Sequence, residues 1–259
     1  LTAVGFFLLA GKELKFKFSL PQDWKKLIKD ALKEFAVYDH LIGASIELVN
    51  KVFLFILAFF VIQTIVGDYT IALSLVNFLT FFPLIIYRTT MLAITRVSSK
   101  AGLEKVLSAF TKYSFIVSVA QFIIFLIILD PLISTITTNT PGNIWNYAVL
   151  LGIGVTIFSI GHPIHAMALL RGNIQEYLKK IVLPITVLSL IGYTIASIYY
   201  TPEMVGIVFI GASIAINLLA YWHVKKTAGV SLQKTFIYPE EKEAIDHILK
   251  KIGVKGHQT

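Results

Sequence analysis

FAVYDHLIGASIELVNKVFLFILAFFVIQTIV, residues 35–66, is apolar enough to cross a bilayer yet carries both signs of charge inside it, at Glu47 and Lys51. At about 1.5 Å per residue, Glu47 lies roughly 18 Å in from Phe35, near the middle of a hydrocarbon layer about 30 Å thick. An ionised group at that depth faces other helices or water rather than lipid. The stretch therefore predicts a transmembrane helix with a polar face, and further helices that wall that face in.

The whole chain agrees with this reading. Its 259 residues are 56% hydrophobic and 15% charged, with a mean hydropathy of +0.76, far from the balance of a soluble domain. The expected class is an all-α membrane protein. A net charge of +8 would suit nucleic acid only if the basic residues gathered on one folded face. They are instead spread over short loops, so no nucleic acid partner is expected. The absence of cysteine excludes disulfides, thiolate metal sites and a cysteine nucleophile.

Residues 1–10, LTAVGFFLLA, are too short to span and lack the basic flank of a signal peptide. They read as the truncated end of a preceding helix in a longer native protein. Residues 11–34 form a basic amphipathic connector, where Pro21 and Asp23 suit a short surface helix with Trp24 at headgroup level. Six transmembrane helices follow in 35–223, over about 35–66, 71–95, 106–130, 144–170, 178–200 and 204–223. Gly67-Asp68, Asp130-Pro131, Thr140-Pro141-Gly142-Asn143, Arg171-Gly172-Asn173 and Thr201-Pro202 punctuate them. The tail, 224–259, is polar. Pro239, the glutamates 240, 241 and 243, Lys250, Lys251 and Gly253 mark a short cytoplasmic C-terminal helix there.

Of the 23 basic residues, all but Lys51 and Arg88 fall in the connector, the 96–112 region, the 171–180 region or the tail. The intervening loops at 67–70, 131–143 and 201–203 have none. The positive-inside rule places both ends of the six-helix unit in the cytoplasm.

Within the spans, Glu47 precedes Lys51 by four residues, the order and spacing that let the side chains meet on one helix face. The pair neutralises itself during insertion, or it lines a hydrated cavity that binds charged substrate or exchanges a proton. Arg88 lies about 10 Å from the cytoplasmic end of its span and snorkels only with difficulty. Asn77, Gln121, His162, His165 and Asn217 are either hydrogen bonds between helices or the lining of a central cavity. GHPIHAM, residues 161–167, sets two histidines three apart. Two ligands do not make a zinc site, HEXXH is absent and Pro163 disturbs the turn, so neither a metal nor another cofactor is expected. A membrane-embedded enzyme would have only Glu47, His162 and His165 to assemble. Pro83, Pro163 and Pro184 interrupt three spans.

Four stretches carry a family resemblance. SLPQDWKKLIKDALKEFAVYDHLIGASIELVNKVFLFILAF resembles an inter-lobe connector entering a seventh helix, and YTIALSLVNFLTFFPLIIYRTTMLAITRVSSKAGLEKVLSAFTKYS the next helix with its basic turn. ILDPLISTI is similar to the outer end of the following helix, and GHPIHAMALLRGNIQEYLKKIVLPITVLSLIGYTI to the helix, small-residue turn and helix beyond. Together they resemble the C-terminal lobe of the polysaccharide-exporter and lipid-linked-oligosaccharide flippases, in the superfamily that includes multidrug-and-toxin extruders.

The resemblance implies one lobe of a two-lobed transporter with a cavity of alternating access. It also implies a lipid-linked saccharide as cargo, membrane lipid, a coupling proton or sodium ion, and the N-terminal lobe of the same chain as partners. Lys51 and Arg88 would then hold the phosphate of the cargo. The multidrug alternative would use Glu47 for ion coupling and a less cationic cavity.

Overall fold

The structure, a computed structural model, describes residues 36–136, 143–199 and 201–232. The expected helix remnant at 1–10, the connector at 11–34 and the C-terminal helix of the tail lie outside them. The described residues are helical and contain no strand. In order they form α1 (Val37–Phe60), α2 (Gln63–Val76), a 3-10 turn (Asn77–Thr80), α3 (Phe81–Arg96), α4 (Lys100–Ile136) and α5 (Ile144–Ile160). Then come α6 (His162–Arg171), α7 (Ile174–Tyr177), a π segment (Leu178–Val182), α8 (Leu183–Tyr199) and α9 (Glu203–Thr227).

Five helical stretches are long and apolar enough to cross a membrane: α1, the run Gln63–Arg96, α4, the run Ile174–Tyr199, and α9. The bent pair α5–α6 makes a sixth if it counts as one span. Phe59 is 84% exposed, Ile127 71% and Leu188 67%. In water each would forgo about 1.5–3 kcal/mol of burial, so the solvent for this surface is lipid. The chain is a multi-pass membrane protein.

Several boundaries differ from the sequence expectation. The first span stops at Phe60, and Ile62, in an extended conformation, turns the chain into α2. Gly67 and Asp68, expected in a loop, lie inside α2. The run from Phe53 to Val66 is apolar except for Gln63 and Thr64, which open α2 just after the turn; no proline or glycine marks it. Asp130-Pro131 does not end a helix either. α4 continues to Ile136, and the Ser134 and Thr135 hydroxyls donate to the Pro131 carbonyl at 2.9 and 2.7 Å. At its other end α4 starts at Lys100, where Ser99 Oγ accepts the Gly102 N–H at 3.2 Å and caps the helix.

An irregular segment precedes each of three prolines. Proline has no N–H and crowds the carbonyl four residues back. For Pro83 that carbonyl is Leu79, inside the 3-10 turn; for Pro184 it is Lys180, inside the π segment. For Pro163 it is Ser159, two residues before the 42° bend at Gly161. The freed Ser159 carbonyl is taken by the Ser114 hydroxyl of α4 at 2.7 Å.

α5 sits at the centre, packed against α2, α4 and α9. Glycine permits the closest approach: a methyl group on Gly154 would overlap the Phe209 ring of α9. α1 joins the bundle through aromatic rings. Phe53 meets Tyr69, Tyr193 and Phe209 at centroid distances of 5.8, 5.7 and 6.4 Å. Tyr69 also stacks on Tyr147 at 4.1 Å. The Tyr193 hydroxyl donates to the Val49 carbonyl at 2.9 Å, and that of Tyr69 to Pro202 at 2.5 Å. These five rings are at most 1% exposed and form a buried layer. Phe53, Tyr69, Tyr193 and Phe209 each lie roughly 10 Å from the helix ends at 60–63 and 199–203.

Candidate functional site: a cavity beside the broken helices

A cavity of about 540 Å³ lies between α1, the 3-10 turn with α3, and the α5–α6 bend. α1 contributes Asp39, Glu47, Asn50 and Lys51; the 3-10 turn and α3 contribute Asn77, Thr80 and Tyr87. Phe158, Ser159, His162 and His165 line the opposite wall, with Tyr177 beside them and Phe209 at the aromatic layer. Glu47 and Lys51 are exposed, whereas Ser159, His165 and Phe209 are buried, so the cavity runs from the surface into the bundle. Its volume falls in the range of about 300–1,000 Å³ common for small-molecule sites.

The deepest polar element is a hydrogen-bonded chain. Asn217 Nδ2 donates to the Ile157 carbonyl at 2.6 Å, which turns its Oδ1 toward His165 Nε2 at 2.9 Å. Nε2 therefore carries the proton, and Nδ1 accepts from the Tyr177 hydroxyl at 2.6 Å. The sequence folds this way because Gly161 bends the chain between α5 and α6 without a side chain. A methyl group at 161 would overlap the Asn217 amide. The chain thus ties α6, the end of α7 and α9 together.

The residues expected to form a cavity separate into two groups. Glu47, Lys51, Asn77, His162 and His165 line it, and Lys51 Nζ lies 2.6 Å from Glu47 Oε2 as the spacing predicts. The other three do not line it. Arg88 follows Tyr87 by about 100° around α3, is exposed, and makes no hydrogen bond or ion pair among the described residues. Gln121 is buried on the α4 face toward α5. Asn217 reaches the cavity only through His165.

Asp39, Asn50, Thr80, Tyr87, Phe158 and Tyr177 also line it, beside the aliphatic Ile42, Ile46, Leu73, Leu84, Val155 and Leu169; none of these was singled out by sequence reasoning as a site residue. One signal existed for the first two: Asp39, Gly43, Glu47 and Asn50 recur at helical spacing along one face of α1. No signal existed for Tyr177, which meets His165 only because the chain turns at Gly172 between them. Among the described residues no three His, Cys, Asp or Glu side chains are grouped so as to hold a metal ion.

No family model, no curated protein and no solved structure matches this chain.

Proposed function

We propose that the protein is a membrane transporter of the flippase type. It moves a lipid-linked oligosaccharide or polysaccharide precursor across the cytoplasmic membrane without covalent change. The observation that carries the reading is the composition of the cavity wall. Phe158 and Tyr87, both half-buried, offer ring surface to the C–H groups of a sugar. Asn50, Asn77, Thr80 and Asp39 offer the donors and acceptors that hydroxyls require. Lys51 is the one cation among the described lining residues, which leaves it as the phosphate partner within the cavity.

Both ends of the unit are cytoplasmic in this reading. The basic loops support it, and so does a contact between two of them: Arg171 Nη2 donates to the carbonyls of Ile94 and Val97 at 2.9 and 2.7 Å. The loops after α3 and α6 thus lie on one face of the bundle. The aromatic layer closes the cavity at its opposite end, as a site presented to one side at a time requires. One observation favours a second reading, export of organic cations. Asp39 and Glu47 outnumber Lys51 in the lining, and carboxylates attract a cationic cargo.

Depletion of the protein in cells separates the two. Lipid-linked saccharide accumulating on the cytoplasmic leaflet is the expected result. Unchanged saccharide flux together with lost dye efflux would overturn the flippase reading in favour of cation export.

A further inference from the structure

Buried polar atoms that lack a hydrogen-bond partner among the described residues gather on one side of the cavity. Thr111 Oγ1, Ser118 Oγ and both amide atoms of Gln121 lie on α4; Thr156 Oγ1 and Ser159 Oγ lie on α5, and His162 Nδ1 just past the bend. Elsewhere among the described residues only Tyr147 Oη and His223 Nε2 are left in that condition.

These residues face one another. The Ser114 hydroxyl bonds the Ser159 carbonyl at 2.7 Å, and a methyl group on Gly152 would lie 2.8 Å from the Phe122 ring. α4 and α5 are therefore antiparallel, with 114 opposite 159 and 122 opposite 152. That register sets Ser118 against Thr156, Gln121 beside Gly152 and Thr111 near His162. The row covers roughly 15 Å of α4.

A dry seam of this kind is not stable. An unpaired buried hydroxyl or amide forfeits the hydrogen bonds that water would give it, and native interiors hold few such groups. Ser118, Gln121, Thr156 and Ser159 are 2, 6, 8 and 1% exposed, so bulk solvent does not reach them directly. Ser159 and His162 also line the cavity, which gives the row an entrance. A buried water joins about two to four such groups.

We propose that the α4–α5 seam is a water-binding site: a file of bound water that enters from the cavity at Ser159 and His162 and ends at the Gln121 amide. Water is favoured over an ion because the row supplies hydroxyls, an amide and an imidazole lone pair, and contains no carboxylate, lysine or arginine. The file gives the cavity a side branch that ends near the middle of α4, behind α5, without crossing the aromatic layer. It stands whatever cargo the cavity takes.

Radiolytic hydroxyl labelling of the full chain in lipid nanodiscs tests this, since radicals form on internal as well as bulk water. Phe125, one turn from Gln121, is the reporter, and Phe53, whose ring meets Phe209 and the hydrogen-bonded Tyr69 and Tyr193, is the dry reference; both are 0% exposed. Phe125 should oxidise on the order of tenfold faster than Phe53, and Ser118→Ala with Gln121→Leu should bring the two rates together. Equal rates in the wild-type protein would overturn the proposal, and that comparison stands even if the double variant does not fold. An unchanged Phe125 rate in a folded double variant would also overturn it, as would a rise in its melting temperature, the response of a seam relieved of unpaired groups.

Discussion

His165 Nδ1 and the Tyr177 hydroxyl lie 2.6 Å apart although the chain bends and breaks between them. Because Asn217 fixes the proton on Nε2, this contact has one direction, with tyrosine the donor and imidazole the acceptor. Two helix irregularities are thereby joined by a single oriented bond.

Removing the donor tests that direction. Tyr177→Phe keeps the ring but leaves a buried lone pair on His165, so the expected loss of stability is about 1–3 kcal/mol. Asn217→Leu should lose at least as much, since it strands both His165 Nε2 and the Ile157 carbonyl. Thermal unfolding of the purified protein in nanodiscs measures both. A double variant as unstable as the sum of the singles would count against a connected chain.

The Glu47–Lys51 pair should couple only weakly. Lys51 and Glu47 side chains are 57% and 60% exposed, and exposed helical pairs of this spacing contribute about 0.3–0.5 kcal/mol. In a double-mutant cycle of Glu47→Gln and Lys51→Met, single neutralisations should be slightly worse than the double. Coupling of several kcal/mol would mean that the pair is desolvated in the working protein.

Arg88 lies outside the cavity lining, which sharpens its test. Arg88→Ala should leave saccharide flipping within about twofold of wild type, whereas Asn50→Ala with Asn77→Ala should reduce it by about tenfold, the loss of a hydrogen bond or two. Leaflet accumulation at matched membrane abundance gives the readout. Abolished flipping in Arg88→Ala would restore this residue as the phosphate partner.

The chain has no cysteine, so topology can be read with single introduced thiols. Ser99→Cys and Gly172→Cys should be protected from an impermeant reagent in intact cells, and Thr201→Cys labelled. The reverse pattern would invert the membrane orientation.

Helix content and five of the cavity residues were legible in the sequence because hydropathy and polar interruptions are local signals. Asp39 and Asn50 were legible in principle from the polar face of α1. The turn at Val61-Ile62 was not, because its one polar mark, Gln63 and Thr64, is a pair that an unbroken apolar span also accommodates. That Arg88 lies off the lining of this cavity was not legible, because membrane depth can be counted along a sequence, while the side of the helix that meets a cavity depends on its neighbours. Of the orphaned row at Ser118, Gln121 and Thr156 the sequence marked Gln121 alone, as an interhelical hydrogen bond or cavity lining; the unpaired state of the row emerges only from the register of α4 against α5.

The aromatic layer gives α1 a fulcrum. Phe53 is the ring by which this helix engages Tyr69, Tyr193 and Phe209, and the cavity lies beside the half that precedes it. Asp39 stands fourteen residues before Phe53, a lever arm of roughly 21 Å, so a tilt of about 10° at the ring would swing the carboxylate by roughly 4 Å. Glu47, nearer the pivot, would sweep less than half that arc. A small rocking of one helix would therefore widen the cavity mouth far more than its floor.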